Sequence, residues 1–145
     1  KRQAIRVPVL TSSLMQVSTV NMLLPDSKKA GILTISKSTL SDAHLRAANV
    51  PSDTPIGTTE DGAEFSRVIL NDELQLNIEL ARMDNINAAL KMKTDHPDLG
   101  AIILECTNMS PYAEAIQKAV ELPVFSIVNF VEWLHAGLKP KRFSS

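Results

Sequence analysis

Cysteine occurs once in the 145 residues. That scarcity excludes a disulfide framework and any cysteine-based structural zinc site, and makes a reduced compartment, the cytoplasm, the expected setting. Neither sign of charge is in excess: 15 Lys and Arg against 16 Asp and Glu give a net charge of -1. So even a balance argues against an electrostatic grip on nucleic acid or on an anionic membrane surface. No apolar run approaches the roughly 20 residues of a membrane span. The 5 glycines are isolated, so neither the dinucleotide fingerprint nor the Walker phosphate loop is present, and no Gly-x-Ser-x-Gly elbow occurs. The 3 histidines and the cysteine show no metal-ligand spacing, and neither a metal nor a cofactor is expected. Apolar residues make up 44% of the chain. A domain of this length buries roughly 68–70% of its unfolded surface, enough for a true core.

Short apolar runs alternate with helical patterns almost without a break, the signature of an α/β fold with an open parallel sheet flanked by helices. Val7-Pro8-Val9-Leu10 reads as a buried strand, followed by Ser12 as a helix N-cap and an apolar stripe at Leu14, Val17, Val20 and Leu24 that stops before Pro25. Ala30 to Ile35 reads as a second strand, and a polar turn at Ser36-Lys37-Ser38 leads to a helix from Asp42 to Ala48. Pro55 to Thr59 is a candidate strand and Glu64 to Leu70 a short helix. The pattern from Leu76 to Thr94 places Leu76, Leu80, Met83, Ile86, Leu90 and Met92 near one face, as a packing helix requires. Ala101-Ile102-Ile103-Leu104 reads as a central strand ending at Glu105-Cys106-Thr107-Asn108. A helix with Pro111 at its first position, a strand from Leu122 to Ile127, a helix up to Gly137 and a polar surface tail from Lys139 to Ser145 complete the chain.

One pattern recurs. Val7-Pro8-Val9-Leu10-Thr11-Ser12 and Leu122-Pro123-Val124-Phe125-Ser126-Ile127 both read aliphatic, proline, valine, apolar, hydroxyl, and each leads into an amphipathic helix. A recurrence at this distance suits two similar α/β halves related by duplication. Counted by the same interval, a partner of Cys106 would fall about ten residues ahead of Lys1.

In an open parallel sheet, ligands bind beyond the carboxyl ends of the strands, and Cys106 sits at such an end. Thr107, Asn108 and Ser110 can present hydroxyls, an amide and backbone N–H groups there, and a helix starting near Pro111 would add its positive dipole end, a setting suited to a carboxylate. A free thiol has a pKa of about 8.5, which a helix N-terminus lowers. The alternative is that Cys106 only fills space, as many buried cysteines do. The hydroxyl clusters Thr11-Ser12-Ser13 and Ser36-Lys37-Ser38 would converge on the same edge, although caps and turns explain them equally. Glu105 either sets the electrostatics around the thiol or ends its strand in solvent. His135 reads as a surface or capping residue more readily than as a proton carrier, and His44 and His96 as solvated helix residues.

The stretch Gly100-Ala101-Ile102-Ile103-Leu104-Glu105-Cys106-Thr107-Asn108-Met109-Ser110-Pro111-Tyr112, with Leu122 to Val128 and Trp133-Leu134-His135-Ala136-Gly137, closely resembles the second cysteine motif of the aspartate/glutamate racemase superfamily. Val7 to Ser13 and Glu64 to Leu70 resemble further pieces of one branch. The resemblance implies a pseudo-symmetric two-domain fold with the active site between the halves, one cysteine from each half, and no cofactor. One thiolate removes the α-proton of an amino acid and the facing thiol reprotonates the opposite side. Carried over, Cys106 matches the second acid/base and Thr107 and Asn108 the adjoining substrate-binding residues. Thr11 and Ser12 are further substrate-binding candidates, tied less closely to the motif because the first cysteine motif would lie upstream.

On this reading, residues 1–25 are the end of a first α/β half, 26–127 a second half carrying Cys106, and 128–145 a C-terminal helix and tail packing back on the first half. The expected activity is that of a cofactor-independent isomerase, a racemase or epimerase of an aspartate- or glutamate-like amino acid or related α-substituted carboxylate. The small carboxylate substrate is the one partner implied; a homo-oligomer stays open. Two alternatives stand beside it. Arylmalonate decarboxylase-like relatives keep one of the two cysteines and protonate the enediolate left by loss of carbon dioxide. A non-catalytic carboxylate-binding module would need no turnover at all.

Overall fold

The computed structural model describes residues 7–143. Ser12 is extended, accepts a hydrogen bond from the Leu14 N–H at 3.2 Å, and so starts a 3-10 turn, Ser13–Met15, which runs into α1 (Gln16–Leu23). Leu14, Val17 and Val20 form its buried stripe, and Leu24 turns extended just before Pro25, as a residue preceding proline favours. After β1 (Lys29–Thr34) the chain enters α2 (Asp42–Ala47) through a capping box in which Ser41 and His44 satisfy each other's N–H groups. Next come β2 (Ile56–Thr58), α3 (Phe65–Leu70) and the long α4 (Ile78–Asp95), which Asn77 caps by accepting from the Glu79 and Leu80 N–H groups at 3.1 Å each. β3 (Leu99–Leu104) leads through a 3-10 stretch, Thr107–Tyr112, into α5 (Ala113–Val120). β4 (Val124–Phe125) and α6 (Ile127–Leu138) follow, and Ser126 and Asn129 form a second capping box at the start of α6.

The four strands form one parallel sheet in the order β2-β1-β3-β4. Alternate residues serve opposite layers, as the period of two demands. Ala30 and Ile32 of β1 and Ala101 and Ile103 of β3 pack against α1 and the α2 region. Leu33, Ile102 and Leu104 pack against α3, α4 and α5. Every residue of β3 is buried, which accounts for its continuous apolar run.

Three sequence-based expectations change. Val7 to Leu10 is not a strand: among the described residues it has no strand partner, Val7 and Pro8 are exposed, and proline supplies no N–H for a ladder. The helix expected from Pro111 begins as α-helix only at Ala113, since the turns carrying Thr107 to Tyr112 are wound tighter. The strand expected from Leu122 to Ile127 is cut to two residues because Ser126 already caps α6.

The packing face of α4 also differs. Ala81, Asn85, Ala89 and Met92 are buried, whereas Leu80, Met83 and Leu90 face outward. Small side chains let this helix lie close to the sheet, where Gly31 gives way to Met92: a Cβ on Gly31 would stand 2.0 Å from the Met92 Cε and 2.6 Å from the Leu99 Cδ1. Asn85 lies at the centre, where its amide nitrogen donates to the Ala81 carbonyl at 2.8 Å while its Oδ1 is buried without a partner among the described residues. Of the polar tail, Lys139 to Phe143 are exposed, and Ser144 and Ser145 lie outside the described residues.

From the middle of α4 the Asp84 carboxylate crosses to the start of α3. It accepts from the Glu64 and Phe65 N–H groups at 2.7 and 2.8 Å and from that of Ala63 at 3.2 Å. These are the donors that a short helix leaves unsatisfied, so one side chain caps α3 and fastens it to α4. Gly62 leaves the carboxylate its space, since a Cβ there would come within 2.5 Å of the Asp84 Cγ. Asp84→Ala should lower the unfolding free energy by about 1–2 kcal/mol, the ordinary size of a lost cap, measured by urea denaturation with circular dichroism.

Candidate functional site

Strand order reverses between β1 and β3. The chain leaves β1 towards β2 by way of α2 on one face, and leaves β3 towards β4 by way of α5 on the other. The two connections therefore diverge from neighbouring strand ends, and divergence at a sheet's carboxyl edge opens a crevice. Ile35 and Ser36 stand on one side of it, Glu105 and Cys106 on the other.

The segment before α1 forms the roof. The Ser13 hydroxyl donates to the Leu104 carbonyl at 2.7 Å and lies 3.3 Å from that of Glu105. The Gln16 amide donates to the Ser126 carbonyl at 3.1 Å, tying the start of α1 to the end of β4. Leu10, Thr11 and Ser12 are thereby held above the strand ends, and a cavity of about 750 Å³ lies beneath them. Cys106 and Thr107 line it from β3 and His44 from α2, while Ile127 and Val131 close one side from α6. Of the sequence candidates, Cys106, Thr107, Thr11 and Ser12 are brought together here. Asn108 is exposed and its side chain does not line the cavity; its backbone N–H is directed to the Cys106 sulfur.

Cys106 is half-buried, and the burial pushes its thiol above the ordinary value. The backbone N–H groups of Asn108 and Met109 act in the opposite direction, and the Glu105 charge adds to the rise. The lowering expected from a helix N-terminus is thus overturned. The α-helix begins seven residues past the cysteine, at Ala113, and desolvation with a neighbouring carboxylate outweighs two N–H donors.

Two carboxylates stand at this edge in different states. Glu60 accepts from the Ser36 hydroxyl at 2.7 Å, the Ser38 hydroxyl at 2.8 Å, the Lys37 N–H at 2.9 Å and the Thr58 hydroxyl at 3.1 Å. The hydroxyl donors, Ser36 first, hold it down to about 2. The Ser36-Lys37-Ser38 cluster is therefore committed to Glu60 and shapes the loop after β1. Glu105 is less engaged: its side chain accepts from the buried Thr34 hydroxyl at 3.0 Å and lines the cavity beside Cys106.

His44 is exposed on α2, as expected of a solvated helix residue, but it also borders the cavity, which its place at the third position of a helix following a strand end could have signalled. Its Nδ1 lies 3.2 Å from the Ser41 hydroxyl and its ring borders the cavity. His135 is exposed on α6 and does not line the cavity. Among the described residues, no three His, Cys, Asp or Glu side chains gather where they could hold a metal ion, and no helix is long and apolar enough to cross a membrane.

Two measurements check this electrostatic picture. The rate of iodoacetamide alkylation at Cys106 should climb with pH through a midpoint above that of a free thiol, and Glu105→Gln should move that midpoint down. Glu60 is depressed from 4.5 to about 2, so its stabilisation is fully present above 4.5 and is lost as pH falls through about 2. Urea unfolding across that window should show a decline that Glu60→Gln flattens.

No protein-family model matches the chain. The dimethylsulfoniopropionate lyase of Durusdinium sp. clade D is 24% identical over 136 residues, which cover 90% of this chain and 44% of that protein. Dimethylsulfoniopropionate lyase 5 of Emiliania huxleyi (strain CCMP1516) is 38% identical over 41 residues, 28% of this chain and 8% of that protein. The crystal structure of allantoin racemase from Pseudomonas fluorescens matches 97% of this chain and 63% of its own, with a TM-score of 0.61 and 17% identity. The chain thus spans less than half the length of either lyase and less than two thirds of the racemase. With four parallel strands in this order and helices on both faces, the chain has the α/β fold found in allantoin racemase.

Proposed function

We propose that the protein is an enzyme that moves a proton at the carbon next to a carboxylate, without a cofactor, and that Cys106 is the group carrying that proton. The observation supporting this most directly is the position of Cys106: it is the single cysteine, it stands at the point where strand order reverses, and it lines the cavity of about 750 Å³ at that edge. The hydroxyls of Thr11, Ser12 and Thr107 surround the same space and are suited to the carboxylate of a small acid or amino acid. In the proton-abstracting direction the ionised sulfur takes the α-proton and becomes a thiol, while the electron pair of the broken C–H bond moves into the carboxylate as an enediolate. In the reverse direction the resting thiol supplies the proton.

Racemisation or epimerisation follows when a second acid on the opposite face returns the proton. The resemblance to the racemase cysteine motif and the likeness to allantoin racemase support this reading. A second reading is elimination, in which the same abstraction expels a β-substituent with its bonding electrons and leaves an unsaturated acid. Both curated relatives are named as lyases, and elimination needs one base where racemisation needs two.

Incubation of the full-length protein in deuterium oxide with a panel of amino acids and substituted propionates separates these readings by proton NMR. Inversion with α-deuterium uptake marks racemisation; an alkene with a released leaving group marks elimination. Cys106→Ser should reduce either by about 10²- to 10⁴-fold, the usual range for removing a positioned acid/base. Turnover that persists unchanged in Cys106→Ser removes the sulfur from the mechanism.

A further inference from the structure

Two capping boxes in this structure use the same geometry with different residues. At the start of α6, Asn129 accepts from the Ser126 N–H at 3.1 Å through its Oδ1. At the start of α2, His44 does the same for Ser41: its Nδ1 accepts from the Ser41 N–H at 3.4 Å and lies 3.2 Å from the Ser41 hydroxyl. An amide therefore suffices for the cap, and the imidazole brings something further. A ring nitrogen that accepts a hydrogen bond carries no proton, so the ring proton is on Nε2. Ser41 does not line the cavity and His44 does, which leaves Nε2 as the polar atom of the ring available to a ligand there.

The surroundings give that N–H a role. Among the described residues around the cavity there is no lysine or arginine, and the one acidic side chain, Glu105, opposes any growth of negative charge. His44 and Cys106 approach from opposite sides of the sheet, since α2 belongs to the layer of α1 and Cys106 packs with α3, α4 and α5. On its own side His44 shares an adjoining space of about 270 Å³ with Thr11 and Ser12, and Cys106 does not line it. We propose that His44 is a catalytic residue: its Nε2–H donates to the carboxylate oxygen on which charge builds as the sulfur takes the α-proton, and the proton stays on nitrogen throughout. The inference rests on the proposed function and deepens it by naming the stabilising donor. The electron pair of the broken C–H bond ends on oxygen, so a donor fixed there binds more strongly as the enediolate forms, and it favours racemisation and elimination alike. Ser41 is the positioning residue, because it holds Nδ1 and with it the tautomer.

Steady-state kinetics of the full-length protein on the same panel of amino acids and substituted propionates tests this. His44→Asn leaves the cap an amide oxygen, as in α6, and withdraws Nε2–H; it should lower kcat about 10²-fold with KM unchanged. Ser41→Ala should lower kcat in part, and it serves as the reporter should His44→Asn misfold by circular dichroism. Isothermal titration calorimetry reads the same donor without turnover. The probes are butyrate and the nitronate of 1-nitropropane, in which nitrogen replaces the carboxyl carbon and the planar, oxygen-charged form of the enediolate is fixed. The wild-type protein should bind the nitronate at least about tenfold more tightly than butyrate, and His44→Asn should bring that ratio close to one with the affinity for butyrate unchanged. A rise in KM with kcat unchanged, a nitronate preference unaltered in His44→Asn, or equal binding or no binding of the two probes by the wild type overturns the inference. Cys106→Ser keeps the two proposals apart. Turnover that depends on Cys106 while His44→Asn moves neither kcat nor the nitronate ratio refutes the role of His44 alone; turnover intact in Cys106→Ser with a nitronate preference that depends on His44 refutes the role of the sulfur alone.

Discussion

The pairing of β1 with β3 is the constraint on which the molecule depends. Both strands are almost entirely buried, so helices must cover both faces, and right-handed crossovers leaving them in opposite directions must lie on opposite layers. The crevice at their carboxyl ends needs no separate device to open it. Thr34 and Glu105 meet there because their strands are neighbours in register, and Cys106 follows directly. Substitution in the core of this pair, Ile32 or Ile103 for instance, acts on the site through the spacing of the two strand ends.

Much of this could be read from the sequence. The buried strands announce themselves by uninterrupted aliphatic runs, and Ser12 caps its helix turn as its place before an amphipathic stretch leads one to expect. The place of Cys106 and Thr107 at the cavity followed from the polarity of β3, whereas Thr11 and Ser12 reach it not as a strand end but through the bonds of Ser13 and Gln16. The errors share a physical origin. Apolar periodicity assigned the large residues of α4 to the core, but the face that packs is Ala81, Asn85, Ala89 and Met92, with Met92 seated over Gly31. The extended run at Val7 has strand-like composition and no neighbour to pair with among the described residues. Hydrogen-bond partners far apart in sequence, such as Glu60 with Ser36 or Asp84 with Glu64, carry no periodic signal at all.

The electrostatics of the edge depend on how fully each carboxylate is satisfied. Glu60 and Glu105 differ little as residues, yet one is a rigid strut of the loop after β1 and the other has one oxygen without a donor among the described residues. The thiol's direction of shift reflects the same distinction, since burial and an incompletely neutralised neighbour act together. Sequence proximity to a helix start was a poor guide because the intervening turns are not α-helical.

The roof of the cavity joins parts of the chain remote from each other: Ser13 reaches Leu104 across 91 positions and Gln16 reaches Ser126 across 110. Such closures incur their entropy cost before any reward from contact is collected. The leading segment is thus anchored to the strand ends by bonds that span most of the chain, and a substitution at Ser13 or Gln16 acts on the cavity from a position remote from Cys106 in sequence.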